Sequence, residues 1–194
     1  MDYSILHEKL NNPNIHSSQL LSKAILANKS DNLKPNFTDP KNFPFFYHLG
    51  KVSGAKSLAH IDVDLGLEDV CFIQGSKQFD RWMGYASTIY ETKSAKLTWS
   101  NVGKFCKNID RCTELKDFDK FILKKYDAII LSNPAHIEPF RDIIWENLSR
   151  DGILIINKLN DNKKGFSMLE DFSKSVNRKP EIFKTRYGTG IIER

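Results

Sequence analysis

The sequence predicts an α/β fold: a mostly parallel β-sheet with helices on both faces, closed by an antiparallel hairpin. Three observations carry this. From Ser57 onward, strand-like apolar runs alternate with helical patterns, and such alternation demands a largely parallel sheet joined by right-handed crossovers. The stretch Ser57 to Gly75 begins the series. A strand-like run from Leu58 to Val63 turns at Asp64 and Gly66 into a helical pattern, as a nucleotide-binding βα unit does. The final two strand-like runs are separated only by Tyr187, Gly188 and Thr189, too few residues for a crossover, so those strands must be antiparallel.

Residues 1 to 42 read as an N-terminal helical extension with too few apolar residues to fold alone, and residues 43 to 194 as the α/β domain. In the extension, Ser17 or Ser18 can cap a helix whose Leu20, Leu21, Ala24 and Ile25 form one apolar stripe ending near Asn28. Asn28 to Pro44 reads as a surface loop. A helix follows at Pro44 to Val52, and its aromatic cluster, Phe43, Phe45, Phe46 and Tyr47, reads as core rather than as a ligand cradle. Strands are expected at Ser57 to Val63, Arg81 to Tyr85, Ile109 to Thr113, Tyr126 to Ser132, Gly152 to Asn157, Glu181 to Arg186 and Gly190 to Glu193. The intervening helices are expected at Gly66 to Gln74, Ile89 to Phe105, Leu115 to Leu123, Pro139 to Leu148 and Gly165 to Val176.

The 194 residues, 40% hydrophobic and 27% charged, suit one globular domain with a core of its own. Net charge is +5, but Lys and Arg are interspersed with Asp and Glu. The basic stretches Lys158 to Lys164 and Lys174 to Lys179 therefore read as solvated loops, and nucleic acid is not an expected partner. Cys71, Cys106 and Cys112, odd in number and in apolar or strand-like surroundings, read as reduced thiols of a cytoplasmic protein. No run approaches the length of a membrane span, so no membrane partner is expected.

Several residues could carry chemistry. His60, Asp62 and Asp64 alternate with Ile61, Val63 and Leu65, so strand periodicity would send all three polar side chains to one face at the C-terminal edge of the sheet. With His136 or Glu138 they could hold a divalent cation. The alternative, in which Asp64 caps the next helix and Asp62 bonds backbone amides, is preferred, and no metal site is assigned. Asn133-Pro134 reads as a turn that starts a helix, Cys71 as a buried apolar residue, and Trp145 as core beside Ile143, Ile144 and Leu148.

The run Tyr126-Asp-Ala-Ile-Ile-Leu-Ser-Asn-Pro-Ala-His-Ile-Glu, with Trp145-Glu-Asn-Leu-Ser-Arg-Asp-Gly-Ile-Leu-Ile-Ile-Asn, resembles the fourth strand, following helix and fifth strand of the class I S-adenosylmethionine (SAM)-dependent methyltransferase fold. Phe43-Pro-Phe-Phe-Tyr-His-Leu-Gly-Lys is also similar to small methyltransferase-like proteins of tailed bacteriophages, which would place the chain in a host cytoplasm or virion. The resemblance implies a three-layer Rossmann-like fold with a seven-stranded sheet, and a donor site lined by Asp62, Asp64, Gly66, Ser87, Glu114 and Ser132, with His136 as the candidate catalytic base. The residues depart from the family pattern at several of these contacts. Asp62 and Asp64 replace glycines, Ala86 stands where an acid would accept the ribose hydroxyls, and Ser132 or Asn133 replaces an acid. The expected function is thus a methyltransferase-like protein with a degenerate SAM site, non-catalytic and serving binding or structure through a protein partner or self-association. The alternative is an active small methyltransferase with an unusual donor site.

Overall fold

A computed structural model describes residues 1–11, 42–63, 66–85, 94–112, 123–161 and 163–194. Its elements, in chain order, are α1 (Ser4–Asn11), α2 (Phe43–Ser53), β1 (Ser57–Ile61), α3 (Leu67–Gly75), β2 (Arg81–Tyr85), α4 (Ser94–Gly103), β3 (Asn108–Cys112), β4 (Tyr126–Leu131), a 3-10 turn (Pro134–His136), α5 (Ile137–Asn147), β5 (Leu148–Asn157), α6 (Gly165–Ser175), β6 (Glu181–Phe183) and β7 (Thr189–Glu193). The expected helix near Ser17 to Asn28, residues Ile89 to Lys93 of the helix expected at Ile89 to Phe105, and all of Leu115 to Leu123 except Leu123 lie outside the described residues.

The seven strands form one sheet in the order β3-β2-β1-β4-β5-β7-β6. Strands β1 to β5 pair in parallel, whereas β7 is antiparallel to both β5 and β6, which is the hairpin expected from the short Tyr187–Thr189 link. The chain builds outward from β1 to β3 and then returns to the other side of β1 with β4. The C-terminal ends of β1 and β4 therefore flank the point where strand order reverses, the position of the ligand crevice in open α/β sheets.

Strand alternation divides the core into two layers. Leu58, Trp82, Ala128, Ile130, Ile153 and Ile155 face one side, packed with Phe43, Phe45, Phe46 and Leu49 of α2 and with Val70 and Cys71 of α3. Ala59, Ile61, Met83, Ile129, Leu131, Leu154 and Ile156 face the other, against α5 and α6. Phe43, Phe45 and Phe46 of the aromatic cluster are thus core, as its composition implied, Tyr47 packs partly buried against them, and Trp145 packs partly buried against Phe172. Cys71, Cys106 and Cys112 are buried free thiols. Helices α2 and α3 touch backbone to backbone through glycine: a Cβ on Gly50 would fall on the Phe72 carbonyl, and one on Gly75 on the Tyr47 carbonyl.

Three strand boundaries differ from the sequence expectation by more than one residue. β1 ends at Ile61 rather than Val63, because Asp62 adopts a left-handed backbone with φ of 62°. β6 ends at Phe183 rather than Arg186. β5 starts at Leu148, ahead of Gly152, because a register irregularity lets Tyr126 pair with Leu148 and Ala128 with Ile153. Helix α1 was not expected. Its Leu6 is fully buried, His7 stacks on Phe183 at 4.6 Å between ring centroids, and His7 Nε2 lies 2.7 Å from Glu181 Oε1, so α1 braces β6. Among the described residues no helix is long and apolar enough to cross a membrane.

Candidate functional site at the β1–β4 switch

The turn after β1 is set by two left-handed residues. Asp62 takes φ of 62°, a conformation that Asp tolerates better than most side chains because its short polar group can bond locally. Gly66 takes φ of 66° at the N-cap of α3, and a Cβ there would stand 2.9 Å from Thr98 Cγ2, so both the backbone and the approach of α4 select glycine. The residue at the N-cap position of α3 is thus Gly66. Asp64 itself lies outside the described residues, as do Ala86, Ser87 and Glu114.

Because β1 stops at Ile61, His60 and Asp62 do not share one strand periodicity. His60 is 3% exposed and faces α3. Its Nδ1–H donates to the Asp69 carboxylate at 2.8 Å, and its Nε2 lies 2.8 Å from Ser132 Oγ. Asp69 is fully buried and also accepts the Trp82 Nε1–H at 2.7 Å. A buried carboxylate requires such partners, because leaving one unpaired in an apolar interior is strongly unfavourable. Burial alone pushes the His60 imidazole toward its neutral form. The Asp69 carboxylate, with Glu68 and Asp62 at longer range, outweighs that effect, and the net shift of its pKa is upward.

The side chain of Asp62 turns instead to the loop after β4, where its Oδ2 lies 3.2 Å from His136 Nε2, with the two side chains 26% and 24% exposed. His136 is placed by the 3-10 turn, whose N-cap Asn133 accepts the Ala135 N–H through Oδ1 at 2.9 Å. Asn133-Pro134 is therefore a helix-starting turn, as its composition suggested. Ser132 N–H donates to Ile61 O at 3.2 Å, fastening the two strand ends together. The structure thus brings together Asp62, Ser132 and His136, and places Gly66 at the foot of α3 behind them.

Asp69, Trp82, Glu68 and Asn157 were not singled out in the sequence. Asn157, ending β5, donates through Nδ2 to Glu68 Oε2 at 3.0 Å and accepts from Thr189 Oγ1 at 3.2 Å through Oδ1, extending the polar edge toward β7. The available signal was Asp69 itself, an acid directly followed by Val70-Cys71-Phe72-Ile73, where a solvent-facing carboxylate does not belong. Among the described residues no group of three or more His, Cys, Asp and Glu side chains is placed to hold a metal ion.

No protein-family model matches the sequence, and no curated protein matches it. Solved structures do match the fold. An O-methyltransferase from Bacillus cereus in complex with SAH superposes with a TM-score of 0.69 at 14% identity, covering 99% of this chain and 98% of that one. The O-methyltransferase TomG from Streptomyces achromogenes in complex with SAM gives 0.70 at 10% identity, covering 98% and 96%. The SAH-bound methyltransferase PaMTH1 of Podospora anserina gives 0.71 at 11% identity, covering 99% and 96%. Strand order, the antiparallel β7 and these superpositions together identify the chain as having the class I SAM-dependent methyltransferase-like fold.

Proposed function

We propose that this chain is a methyltransferase-like protein whose donor crevice has been remodelled so that it no longer serves methyl transfer, and that it works as a binding or structural protein through a protein partner or a second copy of itself. The observation that carries this reading is the Asp62–His136 pair, 3.2 Å apart across the strand ends. In the family pattern glycine occupies the position of Asp62 so that the donor's methionine end can approach the backbone. Here a carboxylate stands in that place and an imidazole is fastened to it. An added carboxylate would also repel that of the donor's methionine. The residues at this end therefore do not fit SAM.

Calorimetry of the full chain with S-adenosylmethionine and S-adenosylhomocysteine tests the reading. No heat at high micromolar ligand is expected, and stoichiometric binding of either compound would overturn it.

A second reading, an active small methyltransferase with an unusual donor site, is favoured by one feature of the same pair. His136 is a quarter exposed and oriented by a carboxylate, as a general base is. The same titration separates the two, because that reading requires the donor to bind.

A further inference from the structure

The buried pairs behind the crevice have a chemistry that needs no methyl donor. Ser132 Oγ lies 2.8 Å from His60 Nε2, and His60 Nδ1 lies 2.8 Å from Asp69 Oδ2. We propose that Ser132 is a nucleophile, activated by His60 and oriented through Asp69, that accepts a small acyl group from an activated ester at the C-terminal edge of the sheet.

The roles follow from which atoms can donate. Trp82 Nε1–H can only donate, so it holds Asp69 Oδ1 as an acceptor at 2.7 Å. Asp69 then receives the His60 Nδ1–H, which fixes the tautomer. In neutral His60 the Nε2 lone pair is left facing the Ser132 hydroxyl, the arrangement in which an imidazole acts as base toward a serine. Ser132 also occupies a suitable place in the fold. It follows β4 directly and precedes the turn into α5, a strand-to-helix junction above a parallel sheet.

Ser132 is 7% exposed, which restricts the substrate to a small acyl group such as acetyl on a good leaving group. Substrate would enter from the side of the partly exposed Asp62–His136 pair, beside which the backbone bond from Ser132 N–H to Ile61 O holds the serine. Asn133, next in the chain, has its Oδ1 committed to the Ala135 N–H and carries an amide NH₂ of the type that stabilises an oxyanion.

In the step proposed, Ser132 Oγ bonds to the ester carbonyl carbon while its proton passes to His60 Nε2. The carbon–oxygen bond to the alcohol then breaks, and the departing oxygen takes that proton. Water, deprotonated by the same nitrogen, releases the carboxylic acid and restores the serine.

The test uses the full chain with a fluorophosphonate probe, read by intact mass and peptide mapping, and with p-nitrophenyl acetate, read by nitrophenolate release. One adduct per chain on Ser132 is expected, with ester cleavage that Ser132→Ala abolishes. His60→Gln and Asp69→Asn should each slow labelling by about 100-fold or more. In the unmutated chain the labelling rate should rise to a plateau as His60 loses its proton, with a midpoint above the ordinary imidazole value of 6.5. The plateau can be read even where a variant fails to fold. No adduct, an adduct on another residue, or a rate rising in proportion to hydroxide without a plateau would each overturn the proposal. SAM calorimetry is independent of every one of these readouts, so the failure of either proposal is seen separately.

Discussion

Trp82 Nε1–H and His60 Nδ1–H converge on one acceptor, the fully buried carboxylate of Asp69, at 2.7 and 2.8 Å. The two donors belong to neighbouring parallel strands and the acceptor to the helix above them, so this carboxylate joins β1, β2 and α3. Replacing Trp82 with Phe keeps an aromatic ring in the core but removes one donor to a charged group. A loss of about 1.5–3 kcal/mol is expected, measured as a lower urea midpoint with an unchanged slope.

His60 makes stability depend on pH. Its pKa is raised on folding, so the folded state binds its proton more tightly than the unfolded chain does. This contribution is fully present below the ordinary value of 6.5 and is lost as pH rises through the higher folded value. The thermal midpoint should therefore fall on the alkaline side of neutrality, and His60→Gln should flatten that part of the profile. A midpoint that climbs with pH through the same window would contradict the assignment.

Gly75, between α2 and α3, and Gly103, at the end of α4, make opposite predictions. A Cβ at Gly75 falls on the Tyr47 carbonyl, so Gly75→Ala must push the helices apart and should cost about 1–3 kcal/mol. Gly103, at the end of α4, offers ordinary contact instead, with Ile109 Cδ1 at 3.5 Å from an added Cβ. Gly103→Ala should therefore stabilise by about 0.4–1 kcal/mol through the unfolded chain. Calorimetric melting of the two variants side by side checks both signs.

Asp62→Gly removes the carboxylate from the strand end and frees His136. If this pair is the main obstacle to the donor, the variant should bind S-adenosylhomocysteine at least about tenfold more tightly than the parent chain, a gain of about 1.4 kcal/mol. Titration calorimetry reads it directly. Unchanged binding would place the obstacle elsewhere in the crevice.

Leu6 is fully buried although α1 is only eight residues long. Leu6→Ala should cost about 2–5 kcal/mol, as for other fully buried leucines, and should expose the ring of Phe183 against which His7 stacks. Denaturant melts and proteolysis at the N-terminus would both report the loss.

The sheet was legible because its strands are short apolar runs bounded by polar turns. Arg81–Tyr85 matches its expected span, and the hairpin followed from loop length alone. Boundaries slipped where backbone geometry overrode the pattern: at Asp62, whose left-handed φ ends β1, and before Gly152, where a register irregularity extends β5 backward. Helix α1 was invisible because eight residues with a weak apolar stripe do not specify a helix; its contacts with β6 do. At the candidate site, sequence reasoning found His60, Asp62, Ser132 and His136 but not how they pair. His60 meets Asp69 nine residues away and Ser132 seventy-two residues away, distances over which local pattern carries no information.

The order of strands at the far edge has a consequence for assembly. β6 precedes β7 in the chain yet lies outside it in the sheet, and among the described residues β7 is the strand to which β6 pairs. β6 therefore joins the sheet only through β7, and Phe183 and Glu181, the anchors of α1, reach their places in it only once β7 has docked on β5. The first helix of the chain thus waits on its final strand. During synthesis the two extremities of the fold would close together, as one late event.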